Sequence, residues 1–283
     1  MPSTRTTPTA LLLHQQWRIL ATAVPQAALG DGAAVHKARV ASRRLREILP
    51  VAVGRRAYDA LNRGVRRVTR ALGPVREVDV TLALLTSFVA AGVVARRSST
   101  PLRQALVARR ADARQRMRRA LERLDLGVLE ARTMAGARRE PRIAQARSRL
   151  ARRATRLDRA MAAAGGLYEA ERLHEVRIAV KKLRYAEEVL AAVTGGTPGQ
   201  RLRTLKRAQD ILGRMHDLDV LAGAVRHLQG AEAPPSLRVC AELDELVRRI
   251  DAECRRLHGQ YMAQRERLVR ICAETSSRSR RAA

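Results

Sequence analysis

The chain has 283 residues, enough to bury a core in one large domain or two moderate ones. Its 56 Lys and Arg against 27 Asp and Glu leave a net charge of +29, a field that attracts polyanions. No apolar run approaches the ~20 residues of a membrane span, and Cys240, Cys254 and Cys272 are spaced for neither a disulfide framework nor a zinc site, so they read as reduced thiols in or near a core.

Helical periodicity dominates and strand-type alternation is nowhere sustained, so the fold class is all-α. A first helix is predicted over about 9–28, with a kink or early stop at Pro25. The apolar run Leu11-Leu12-Leu13 that opens it stops at His14-Gln15-Gln16, which argues against a signal peptide and for a cytosolic protein. After Gly30-Asp31-Gly32, where Asp31 or Gly32 can cap, a second helix spans about 33–49 and a third about 55–72. Gly73-Pro74 then reads as a stop and restart, with a fourth helix over about 75–94. Ser98-Ser99-Thr100-Pro101 starts a helix over about 102–124, and a looser stretch follows to Glu140. Pro141 opens a basic helix through about Ala163. Further helices are predicted over about 169–193, about 200–212 after Pro198-Gly199, about 215–228 beyond Gly213, and about 236–274. The tail SSRSRRAA reads as disordered.

Within this order the chain says one thing twice. VHKARVASRRLR from Val35 is matched by LHEVRIAVKKLR from Leu173, and LGPVREVDV from Leu72 by LGRMHDLDV from Leu212, at offsets of 138 and 140 residues. One duplicated unit, built as two four-helix bundles related by an approximate two-fold, is the economical reading, with the helices at about 102–124 and 236–274 as links or braces.

The repeated phrase is a histidine followed by a comb of cations: His36, Arg39, Arg43, Arg44 and Arg46, then His174, Arg177, Lys181, Lys182 and Arg184. With His36 at zero and ~100° per residue, Arg39, Arg43 and Arg46 fall at about 300°, 340° and 280°, one stripe less than ~90° wide. Ala38, Ala41, Leu45 and Ile48 fall opposite, between about 120° and 200°. The second copy repeats both faces, and Arg44 and Lys182 sit off the stripe on its flank. On the third helices, Arg63, Arg66 and Arg67 match Arg203, Lys206 and Arg207, and Arg76 stands where the second copy has His216. A lone charge run is usually a solvated face. Two combs with the histidine in the same place point instead to a retained function, because surface charge drifts freely between duplicated halves.

Arg, Lys and His with few interleaved acids suit phosphate: Arg as a bidentate fork, Lys as a point charge, His as a donor tunable near neutral pH. About ten helical residues span ~15 Å, which suits an extended polyanion better than one phosphate. Such histidines should have lowered pKa values when empty and raised ones when the anion binds. Nucleic acid is the rival ligand, but sequence-tolerant grooves for single strands also use aromatic stacking, and the chain has six aromatics; weak nonspecific binding is expected. No Walker loop is present, and the clustered acids Glu77, Asp79, Asp217 and Asp219 read as helix-start residues that favour the dipole and pair with comb arginines. The protein therefore reads as a binder and not as a phosphate-transferring or triphosphate-hydrolysing enzyme. A phosphorelay histidine would need to stand open to a receiver, and a metal shared by His36 and His174 would have too few ligands among cations. No cofactor or metal is implied, and the oligomeric state is not legible.

HKARVASRRLR, HEVRIAVKKLR and the two LG phrases, four motifs in order, resemble the CHAD family of conserved-histidine α-helical domains over about residues 8–275. The resemblance implies a single domain over 8–283: a first bundle about 8–95, a linking helix and loop about 100–140, a second bundle about 141–275 and a basic tail 276–283. It also implies a basic central cavity that binds inorganic polyphosphate, cytoplasmic location and association with polyphosphate granules. On that reading the ligand contacts are the two combs together with Arg66, Arg76, Lys206, Arg207 and His216. Glu77 stands where the family usually has Asp, and Arg66 where it has the lysine matched by Lys206.

Overall fold

A computed structural model describes residues 8–137, 142–196 and 199–281. Among these are nine α-helices: α1 (Pro8–Ala28), α2 (Gly32–Ala52), α3 (Arg55–Ala90), α4 (Thr100–Glu122), α5 (Leu126–Ala135), α6 (Ile143–Ala164), α7 (Ala170–Thr194), α8 (Gln200–Gln229) and α9 (Leu237–Arg281). The only extended pairing among the described residues is an isolated bridge between Val53 and Ala137. Asp31 caps α2, its carboxylate accepting from the backbone N–H of Ala33 at 2.7 Å and Ala34 at 3.2 Å. These donors would otherwise lack partners at a helix start.

The largest departure from the sequence reading is at the LG phrases. Neither Gly73-Pro74 nor Gly213 ends a helix; α3 and α8 run through them. A proline inside a helix costs about 3 kcal/mol and a glycine about 1 kcal/mol. Against this, Leu72, Val75 and Val78 around the proline are at most 1% exposed. Burying each such side chain stabilises by roughly 1.5–3 kcal/mol, so packing outweighs the local breaker signal. Prolines 25 and 50 likewise lie inside α1 and α2. The looser stretch before residue 140 contains α5, and the tail expected to be disordered continues α9 as far as Arg281. Pro141 and Pro198, read as helix starts, fall outside the described residues.

The order helix, comb helix, long helix, fourth helix thus occurs as α1–α4 and again as α6–α9, with α5 between. The helices expected to brace two bundles are themselves the fourth members. The apolar interior forms two clusters. Leu61, Val65, Val68, Leu72 and Val75 of α3 lie in the first with α1 and α2, whereas Val78, Leu82, Leu84 and Leu85 lie in the second with α6–α9. Helix α7 crosses the other way: Leu173 to Ala186 pack in the second cluster, Val189 and Val193 in the first. Helices α3 and α7 each pass between cores within a few residues, so the halves are stitched into one body. Cys254 and Cys272 are buried in the second cluster as free thiols, and Cys240 is half-buried.

Candidate anion-binding cavity

Helices α2 and α7 pack near each other, and their cationic stripes line one cavity of about 1070 Å³. The apolar faces explain the orientation. Ala38, Ala41, Leu45 and Ile48 are at most 2% exposed, as are Val176, Ala179 and Leu183, which leaves the opposite stripes to face the cavity. His36, Arg39, Arg43 and Arg46 enter from α2, and His174, Arg177, Lys181, Lys182 and Arg184 from α7. Arg76 enters from α3, and Lys206 and His216 from α8. The stripes therefore face one space and not two.

Three sequence-predicted residues lie elsewhere. Arg44, off the stripe, turns to Glu188 at 3.4 Å. Arg66 and Arg207 are exposed on faces of α3 and α8 that do not line the cavity, although Arg66 is near enough to disfavour the charge on Arg46. Lys182, equally off the stripe, does line it, because α6 brings Arg153 and Arg156 to its side. Arg184 lines the cavity while already engaged: its Nε donates to Gln209 Oε1 at 2.9 Å, it pairs with Glu188, and it lies 4.4 Å from the ring centre of Tyr185.

The sequence reading missed Arg149 and Arg153 of α6 and Arg214 of α8, all on the cavity wall. Arg149 Nε donates to Glu47 Oε2 at 2.9 Å and an Arg153 terminal nitrogen to Glu47 Oε1 at 2.8 Å. Glu47 is 6% exposed. An acid at the end of the first comb, at about 20° on the stripe side, was the available signal, but nothing in the sequence said which helix would supply its partners.

The LG-phrase acids are mid-helix, so they do not stabilise a helix start as expected. Nor do they pair with the combs in the manner expected. Asp79 faces Arg110 and Arg114 of α4, both at 4.0 Å, and Glu77 pairs with Arg109 at 2.9 Å. Asp219 accepts from the Tyr168 hydroxyl at 2.7 Å. Asp217 and Glu77 both reach the cavity wall; burial raises the pKa of Asp217, opposed by Arg177, Arg76 and Lys181. The glycines of these phrases lie under comb arginines. A β-carbon at Gly73 would come 3.7 Å from an Arg39 terminal nitrogen, and one at Gly213 3.9 Å from Arg177 Nε.

Twelve Lys and Arg line the cavity against four carboxylates, Glu47, Glu77, Asp210 and Asp217. The imbalance registers in the titrating groups. Burial pulls Lys181 down to about 6, helped by Arg177, Arg43 and Arg39 and opposed by Asp217. Burial and Arg177, with His174, Lys181 and Arg39, pull His216 down to about 3. His36 is lowered by burial, then by Arg76 and Arg39; His174 by burial, then by Arg177 and Lys181. Burial also lowers Arg39 to about 10. The histidines thus sit low in the empty protein, with desolvation ahead of the neighbouring cations as the cause. The His174 and His216 rings meet with their Nδ1 atoms 3.1 Å apart, so one donates and the other accepts. Among the described residues no three His, Cys, Asp or Glu side chains converge as a metal-holding group. The Nε atoms of Arg46, Arg153 and Arg177 are buried without a hydrogen-bond partner. Arg44, Arg114, Arg201 and Arg265, away from the cavity, share this feature, so it is not peculiar to the cavity wall.

The family model for the CHAD domain matches residues 11–226. Two solved structures share the fold. PptA from Streptomyces chartreusis is 16% identical with a TM-score of 0.72, covering 94% of this chain and 100% of that one. The CHAD domain from the plant Ricinus communis is 22% identical with a TM-score of 0.62, covering 90% of this chain and 91% of that one. No curated protein sequence matches the chain.

Proposed function

Because the chain belongs to the CHAD domain family, we propose that it binds inorganic polyphosphate in the cavity between its two comb helices. The observation that carries this reading is the surplus of cations: twelve Lys and Arg from α2, α3, α6, α7 and α8 meet four carboxylates around one space. Its volume, about 1070 Å³, is at the upper limit of ordinary small-ligand pockets, roughly 300–1,000 Å³. An extended polymer of phosphates satisfies many donors at once and releases the counterions that the cavity would otherwise hold.

The protein is a binder and not an enzyme on this reading. Of the four acids that phosphoryl transfer would recruit, Asp79 and Asp219 serve contacts with α4 and Tyr168, which leaves Glu77 and Asp217 on a wall dominated by cations. Polyphosphate binding would direct the protein to polyphosphate granules in the cytoplasm. No described helix is long and apolar enough to cross a membrane.

The test is competition at physiological salt between long-chain polyphosphate, single-stranded DNA and RNA. Polyphosphate should win, and changing His36, Arg39, His174 and Arg177 together to Ala should abolish its binding in the cavity while leaving the circular dichroism helical. Unchanged affinity in that variant overturns the site, and preference for nucleic acid overturns the ligand. Release of orthophosphate from polyphosphate with Mg²⁺ would overturn the reading as a binder.

A further inference from the structure

Arg63 and Arg67 of α3 do not line the central cavity. They face a groove along α3, made of two adjoining hollows of about 380 and 370 Å³, the first against α4 and the second against the α4–α5 turn and α5, that have Arg67 and Arg123 in common. No residue lining the groove also lines the central cavity. Arg63, Arg67 and Arg70 form one rail on α3, and Arg116 of α4 with Arg123 at its C-terminal cap the other. Each rail spans seven residues, or ~10 Å of helix. All five arginines are exposed.

Their lack of partners sets them apart. On other faces of α4, Arg109, Arg110 and Arg114 are paired with Glu77 or Asp79. Among the described residues none of the five groove arginines pairs with a carboxylate, and Asp125, the one acid lining the groove, is committed to capping α5 through the Val128 N–H at 2.8 Å. Ala71, Pro74, Ala113 and Ala120 make a floor of small side chains, over which a thin polymer can lie close to both rails. Like charges three and four residues apart on α3 repel in the empty protein, and an anion between the rails relieves that.

We infer that this groove is a second anion site, which takes an extended phosphate chain between its arginine rails, so that one molecule holds two polyphosphate strands and bridges them. The identity of the polymer rests on the reading of the cavity; the existence of the site does not. Guanidinium forks match phosphate oxygens, and the absence of any aromatic side chain in the groove disfavours single-stranded nucleic acid, which gains much of its affinity by stacking.

The experiment is stoichiometry by native mass spectrometry with a short-chain polyphosphate, followed by light scattering with a long chain. The unaltered protein should bind two short chains and form large particles with the long one. Arg67→Glu with Arg123→Glu should leave one chain bound and abolish the particles, and Arg70→Glu with Arg116→Glu should do the same independently. Arg39→Ala with Arg177→Ala should also leave one, held in the groove. A number of bound chains that neither groove variant lowers overturns the inference. If the cavity variant still binds two chains while each groove variant binds one, the cavity reading fails and the groove stands. Displacement of groove-bound polyphosphate by single-stranded DNA at equal phosphate concentration overturns the choice of polymer.

Discussion

Lys181 should make polyphosphate binding take up a proton. It stands where the first comb has Arg43, half-buried on the cavity wall, with Arg177 on its own helix, Arg39 and Arg43 on α2, and Asp217 on α8 around it. In the empty protein burial and these arginines hold its pKa at about 6. At pH 8 the ammonium form is then populated to roughly 1%, and restoring it costs about 2.7 kcal/mol, at 1.36 kcal/mol per pH unit. A polyanion in the cavity supplies the missing counter-charge and raises that pKa. Binding therefore strengthens as pH falls, by up to tenfold per unit, between the bound-state pKa and about 6, and this contribution is flat below about 6. Calorimetry at pH 8 in two buffers of different ionisation enthalpy should show uptake approaching one proton per cavity-bound chain. Lys181→Arg, which carries its charge in both states, should remove most of that uptake and flatten the affinity between pH 7 and 8. His36, His174 and His216 add uptake wherever binding raises them, so the difference between the unaltered protein and Lys181→Arg isolates the lysine. Equal uptake by the unaltered protein and Lys181→Arg would refute the assignment.

Lys181→Met should raise the melting temperature of the empty protein while weakening polyphosphate binding. A lysine whose folded-state pKa is depressed destabilises the fold increasingly as pH falls from about 10.5 to about 6, so the gain should be largest at the acid end of that window. Glu47→Gln leaves Arg149 and Arg153 without their carboxylate and should cost about 3–5 kcal/mol in urea unfolding, the usual penalty for breaking a buried pair. Part of that loss should return when polyphosphate is added. At position 213, Gly→Ala should stabilise by about 1 kcal/mol and keep binding, because the added β-carbon meets Arg177 at an ordinary contact distance. Gly213→Leu should keep the helix yet weaken binding by displacing that arginine, and an unchanged dissociation constant would argue against its role.

The all-α class, the repeated combs and the side each comb presents were legible from the chain alone, for one physical reason. A helix places residues at fixed angles, so Ala38, Ala41, Leu45 and Ile48 could be assigned to a core and His36, Arg39, Arg43 and Arg46 to the opposite face without knowledge of either neighbour. Local signals misled wherever their cost was smaller than the packing that opposed them. Pro74 and Gly213 looked like helix ends, yet buried residues on both sides hold α3 and α8 continuous. Those unbroken helices carry Arg76 and His216 into the cavity on the same rods as the preceding cations.

Partnership was decided by tertiary structure. The pairing of Arg149 and Arg153 with Glu47 joins residues about a hundred positions apart, and the contact of His174 with His216 joins two helices. Arg44 and Lys182, equivalent in the repeat, part company because Glu188 draws one aside while α6 sets the cavity wall around the other. Periodicity determines which way a side chain points; only the packed neighbours determine what it meets, and burial first, then the cations that meet across one cavity, depress the pKa values of Lys181 and His216.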